Sequence, residues 1–184
     1  TYRLTDTLHV DVNRQNAKAY CMLKDYKTAV SRYEALKAMG DRSFTTLYYL
    51  GISQYCDNWP YGARDNLLKA HEKSPMDVNV LYYLAKSCAR SSWKADGVAY
   101  MKMALDIATP KDSLITSLYD GLVECYRYYP KAAPYEYIEA VKKLYSLNKK
   151  YTLLYTIAGI YDGQKDYANA VHYYEKYMAL VPKD

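Results

Sequence analysis

Apolar positions along the chain recur at helical spacing. Leu47, Leu50 and Gly51 fall at i, i+3 and i+4, one face of a helix, with a small residue placed where a second helix can approach closely. The string Leu47-Tyr48-Tyr49-Leu50-Gly51 returns 34 residues later as Leu81-Tyr82-Tyr83-Leu84-Ala85. A second signature, a small residue followed four places on by a large one, runs through Ala29 with Tyr33, Ala63 with Leu67 and Gly97 with Met101, again 34 residues apart. It continues as Ala140 with Leu144 and Ala170 with Tyr174, after irregular intervals of 43 and 30. Each copy therefore predicts two helices. Pro75 and Pro110 follow the second helices of their copies, where a missing N–H and a fixed φ stop propagation.

The helix pairs predicted are 11–24 with 27–39, 44–57 with 60–73, 78–91 with 94–108, 113–128 with 135–148, and 151–162 with 167–181. Residues 1–9 show no periodicity and are expected to be irregular. The remainder, 10–184, is expected to form one repeat domain divided at about 10–43, 44–77, 78–111, 112–150 and 151–184.

These motifs resemble the tetratricopeptide repeat (TPR), a 34-residue helix-turn-helix with Trp-x2-Leu-Gly-x2-Tyr, then Ala-x3-Phe, then Pro. The second copy carries most of the pattern. Leu47 replaces the Trp, Leu50-Gly51 matches, Tyr55 stands one residue late, and Ala63, Leu67, Ala70 and Pro75 complete it. The first copy departs with Asp41 at the Pro position, and the fourth carries extra residues around Tyr129-Pro130-Lys131-Ala132-Ala133-Pro134. The resemblance spans roughly Val10 to Pro182 and implies an all-α fold, a right-handed α-solenoid of about five TPR-like helix pairs.

Composition narrows the function. Hydrophobic residues at 51% and charged residues at 24% describe a chain that folds. The net charge of +5 comes without a run of Lys and Arg dense enough to track phosphates, which argues against nucleic acid. The charge-free stretch Tyr151 to Tyr161 falls short of the roughly 20 residues of a spanning helix. The sequence opens at Thr1 with no basic-then-apolar leader, so an export signal has been removed or never existed, and the compartment stays open. The 25 Tyr against one Phe and two Trp suit half-buried surfaces, of which a solenoid has many.

Catalytic and metal chemistry find no foothold. Cys21, Cys56, Cys88 and Cys125 occur once in each of the first four copies without a CxxC pair and read as small buried apolar residues, with disulfide or metal as the alternative. His9, His71 and His172 stand apart from any ligand or nucleophile spacing and read as surface residues. No P-loop, GxGxxG or GxSxG is present. A non-enzyme without cofactor is the expectation.

By the resemblance, the first helices of the pairs line a concave groove that receives a peptide or a partner's helix. The positions implied are Arg14 and Lys18 from the first copy, Tyr48, Tyr49, Ile52 and Tyr55 from the second, and Tyr82, Tyr83, Lys86 and Arg90 from the third. Tyr119, Tyr126 and Arg127 come from the fourth. Rings and cations together suit an acidic protein or peptide segment. A glycan-binding module with aromatic platforms is the alternative. Tyr can equally fill the seam between neighbouring helices. Adjacent helical residues point about 100° apart, so Tyr48 and Tyr82 are expected to be exposed and Tyr49 and Tyr83 packed. The chaperone-tail clamp of some TPR proteins does not carry over, because Tyr49, Asn79 and Tyr83 replace its Asn, Lys and Arg.

Overall fold

The computed structural model describes residues 7–108, 112–130 and 133–182. Among them are ten helices: α1 (Thr7–Met22), α2 (Tyr26–Ala38), α3 (Phe44–Cys56), α4 (Pro60–Lys73), α5 (Val78–Ala89), α6 (Lys94–Ile107), α7 (Asp112–Tyr128), α8 (Pro134–Asn148), α9 (Thr152–Gly163) and α10 (Tyr167–Leu180). Helix α1 begins at Thr7, inside the stretch expected to be irregular. Pro110 and the Lys131-Ala132 part of the enlarged turn lie outside the described residues.

Local chemistry sets the helix starts. Side chains of Asp25, Ser43, Asp77 and Asp166 accept from free N–H groups in the first turns of α2, α3, α5 and α10, and Pro60 and Pro134 open α4 and α8. The turn inside a pair also repeats. Lys24, Asn58 and Lys165 take the left-handed conformation at matching places between α1 and α2, α3 and α4, and α9 and α10.

Packing follows the small-and-large pattern. Ala29, Tyr33, Ala63, Leu67, Met101, Ala140, Leu144 and Ala170 are buried, so the repeated positions form the seams of a solenoid in which each helix packs on the next. Along the row of first helices α1 touches α3, α3 touches α5 and α5 touches α7, whereas among the helices of the described residues α9 contacts α8 and α10 alone. A polar strut crosses the second pair: Gln54 donates to Glu34 (3.0 Å), and Asn66 donates to Gln54 (2.8 Å) and to the Gly62 carbonyl (3.0 Å).

Asp41, the departure from the repeat pattern, closes the first pair. Its side chain, 7% exposed, accepts from Arg14 Nε (2.7 Å) and Nη2 (2.9 Å), Thr46 Oγ1 (2.6 Å) and the Ser43 N–H (3.0 Å). Burial alone would raise this carboxyl, but hydrogen bonds from Arg14, Thr46 and Ser43 outweigh it and hold it well below the usual carboxylate range. A depressed folded pKa gives stability that is complete above the unfolded value near 3.9 and is lost as pH falls through the folded one. Asp41→Asn is therefore expected to cost about 1.5 to 3 kcal/mol at neutral pH. In thermal melts the difference from wild type should shrink once the pH is taken below about 4. An unchanged melting temperature at neutral pH would show that the Arg14–Asp41 tie contributes nothing.

Candidate functional site

Aromatic residues of α3 and α5 gather along the row of first helices, reaching back to Tyr33 of α2 and forward to Gly121 of α7. Tyr48 and Tyr49 meet edge to face at 5.0 Å, as do Tyr82 and Tyr83 at 5.2 Å. The two members of each pair then lean opposite ways. Tyr49 turns back toward the first pair, stacked on Tyr33 of α2 at 6.3 Å and under the Lys18 ammonium at 5.2 Å. Tyr48 stacks on Phe44 at 5.5 Å and packs against the Leu47–Ala70–Val80 cluster shared with α5. Tyr83 turns back to Tyr55 of α3 at 5.9 Å, and Tyr82 turns forward to α7, where a Cβ on Gly121 would stand 2.9 Å from its ring.

All four tyrosines are half-buried. The expectation that Tyr48 and Tyr82 are exposed is corrected here: each lies in the seam with the following pair, while its neighbour lies in the seam with the preceding one. Ile52 is also buried, in a cluster with Cys21 and Ala29. Tyr55 is half-buried under the Arg90 guanidinium, 5.1 Å from the ring.

The fourth-copy residues go elsewhere. Tyr126 is buried at 1% exposure, stacks on Tyr137 of α8 at 5.7 Å and donates to Glu136 at 2.6 Å. Tyr119 and Tyr126 line an open cleft of about 610 Å³ with Tyr135 and Glu136 of α8 and Lys102 of α6, and Arg127 is exposed beside the Tyr137 hydroxyl. Tyr126 holds the repeat place of Ala89, which α5 turns toward Gly97 of its own partner α6.

Charge is less one-sided than the sequence suggests. Arg14 is bound by Asp41 and by Asp11 (2.6 Å). Lys86 pairs with Glu124 of α7 at 2.8 Å, donates to the Tyr82 hydroxyl at 3.3 Å and lies 5.6 Å from the Tyr55 ring. Burial would pull the Lys86 ammonium down, but the Glu124 bond and the flanking tyrosines overcome it and raise its pKa. Among the described residues Lys18 and Arg90 have no carboxylate at ion-pair distance, and Arg90 donates to Asn58 at 2.6 Å. Asp41 and Glu124 fall outside the repeating motifs, so no periodic signal marks them.

The four cysteines are free, and Cys21, Cys88 and Cys125 are buried as expected. Cys56 is the exception. It is exposed at the C-terminal end of α3, next to Tyr55 and against the Tyr26 hydroxyl. Beyond α7 the surface opens into a cleft of about 490 Å³ between Pro130, Pro134 and Tyr137 on one side and Thr156, Gly159 and Gly163 of α9 on the other. Among the described residues no three His, Cys, Asp or Glu side chains gather to hold a metal, and no helix is long and apolar enough to cross a membrane.

No protein-family model and no curated protein matches the chain. Solved structures do. MamA (MSR-1) superposes with a TM-score of 0.78 at 14% identity, over 94% of this chain and 97% of that one. A second MamA structure gives 0.77 at 18% identity, over 92% and 90%. YrrB, described as a TPR protein with an unusual peptide-binding site, gives 0.76 at 13% identity, over 93% and 86%. At these identities the likeness concerns the fold, and the fold is the tetratricopeptide-repeat α-solenoid.

Proposed function

We propose that this tetratricopeptide-repeat solenoid is a non-catalytic scaffold that holds a protein or peptide segment on the face formed by α1, α3, α5 and α7. The observation that carries the reading is the two groups of half-buried rings on α3 and α5, Tyr49 with Tyr48 and Tyr55 with Tyr83 and Tyr82, with cations against them. Rings held on both edges by neighbouring helices lose little entropy when a ligand settles on them, so they suit recognition of an extended or helical segment. YrrB, with the same fold and a peptide-binding site, is in keeping with this use.

Acidic preference in the ligand rests on Lys18 and Arg90, because Arg14 and Lys86 already have carboxylate partners. Arg90 lies over Tyr55 and supplies the clearest anchor for a ligand carboxylate.

Selection from a phage-displayed random peptide library, followed by titration calorimetry, tests the proposal. Selected peptides should carry Asp or Glu beside apolar residues. Tyr55→Ala and Arg90→Ala should each weaken them by about 1 kcal/mol or more, roughly fivefold, with Arg90→Ala also reducing the salt dependence of binding. Peptides that bind both variants as tightly as wild type would remove this face from consideration, and saturable binding of soluble oligosaccharides instead would favour the aromatic-platform alternative.

A further inference from the structure

Polar groups that satisfy one another bridge the first two pairs. Gln54 of α3 donates to Glu34 of α2, Asn66 of α4 donates to Gln54, and Lys37 pairs with Glu34 at 3.5 Å. Gln54 and Asn66 are buried, so α2 and α4 are tied across α3 by a hydrogen-bonded strut.

The fourth and fifth pairs repeat this arrangement of helices with other side chains. With Ala29 set against Ala140 and Ala63 against Ala170, Tyr145 stands in the place of Glu34, Tyr161 in that of Gln54 and Tyr173 in that of Asn66. Ala179 and Leu180 replace Glu72 and Lys73, Lys142 replaces Ser31, and Lys176 keeps the charge of Lys69. Polar side chains have become aromatic or aliphatic around this seam, and a hydroxyl has become a cation.

A cleft of about 530 Å³ lies here between α8 and α10, with α9 beneath. Leu154 and Ile157 form its floor, Tyr145 and Tyr173 its walls, and Ala179 and Leu180 continue the apolar surface along α10. Lys142 Nζ lies 5.7 Å from the Tyr161 ring and Lys176 Nζ 5.3 Å from the Tyr173 ring, and these two rings stack on each other at 5.7 Å. A third ammonium, that of Lys149, lies 5.6 Å from the Tyr145 ring. Lys142 is shared with Glu139 at 2.9 Å, an exposed pair on one helix that holds it weakly. Among the described residues Lys149 and Lys176 have no carboxylate at ion-pair distance. The places along α10 face solvent inside the array as well: Lys69, Glu72 and Lys73 are exposed although α5 packs on α4.

We propose that this cleft binds a small anionic amphiphile, an aliphatic chain that ends in a carboxylate. The chain lies on Leu154, Ile157 and Leu180, and the carboxylate meets Lys142 and Lys176, whose stems run along the apolar walls and carry their charges to the rim. The volume falls within the roughly 300 to 1,000 Å³ of small-molecule sites, and the cations select an anion and repel a cationic head on the same chain. The site uses helices other than those that carry Tyr55 and Arg90 and does not rest on the peptide reading.

The test is calorimetric titration of the whole chain with dodecanoate below its micelle concentration. Saturable binding of a single dodecanoate per chain is expected, weaker by about tenfold or more in Lys142→Met/Lys176→Met and in Ala179→Glu/Leu180→Lys, the latter restoring the residues of the second pair. Dodecyltrimethylammonium, the same chain with the opposite charge, should also bind about tenfold or more weakly. The replaced side chains reach solvent, so both variants should melt with the wild type, which separates a lost site from lost folding. No saturation by dodecanoate would overturn the proposal, as would wild-type affinity in either variant or equal affinity for dodecyltrimethylammonium. So would sedimentation with phosphatidylglycerol vesicles in the absence of dodecanoate binding, since the cations would then face a lipid surface.

Discussion

Replacing Gly97 with leucine is expected to cost about 3 kcal/mol. A Cβ at Gly97 would stand 2.8 Å from the Ala85 carbonyl oxygen, 2.9 Å from the Ala89 nitrogen and 3.2 Å from its Cα. These are backbone atoms of α5, which cannot turn aside as a side chain can, so α6 must move away and open the seam along its length. Gly97→Ala should cost less, since alanine returns about 1 kcal/mol of helix propensity against the same clash. Gly121 gives the contrast. Its added Cβ would meet Met101 Cε at 2.6 Å and the Tyr82 ring at 2.9 Å, ends of side chains that can shift. Gly159 has nothing within 4 Å, so Gly159→Ala should stabilise α9 by up to about 1 kcal/mol. Thermal melts should therefore rank Gly159→Ala highest and Gly97→Leu lowest. A Gly97→Leu protein as stable as wild type would contradict the register of α5 on α6.

Tyr126→Ala is expected to lose about 3 to 5 kcal/mol, the range for removing a buried aromatic, while leaving peptide affinity unchanged in whatever fraction stays folded. The ring is buried against Tyr137, and its hydroxyl donates to Glu136, a carboxylate also tied to Lys102. Burial first, and then that hydrogen bond, raises the Tyr126 pKa, so the hydroxyl remains a donor across the ordinary pH range. Tyr126→Phe keeps the ring and should cost only about 1 kcal/mol. A Tyr126→Ala protein that melts like the wild type but loses peptide would return this residue to the binding surface.

The seams were legible in the sequence because a small residue and a large one four places on must recur wherever two helices meet closely. Ala29, Ala63, Gly97, Ala140 and Ala170 all lie in those seams. Helix ends were read less well: α1 starts at Thr7, and its actual stop, the Lys24–Asp25 turn, depends on a left-handed lysine that no periodicity marks. The site was half legible. The family resemblance put Tyr48, Tyr49, Tyr82 and Tyr83 on the groove, but the lean of each ring is set by helices from two different pairs. Arg14 and Lys86 looked available because their partners, Asp41 and Glu124, lie 27 and 38 residues away outside the repeated motifs. Tyr126 was misplaced for a related reason. The same repeat position holds half-buried Tyr55 in α3, buried Ala89 in α5 and a tyrosine turned into the α7–α8 seam.

Cys56 gives the most direct reading of the central claim, that ligand lies along the tyrosines of the first helices. It is the exposed thiol beside Tyr55, while Cys21, Cys88 and Cys125 are buried. Burial raises the Cys56 thiol pKa and the Tyr26 hydroxyl opposes that, so its reaction with a chromogenic disulfide should be slow enough to follow at neutral pH. With a selected peptide at about ten times its Kd, the rate should fall to roughly a tenth, because only the free protein reacts. A rate unchanged by saturating peptide would place the ligand elsewhere on the molecule and contradict the account.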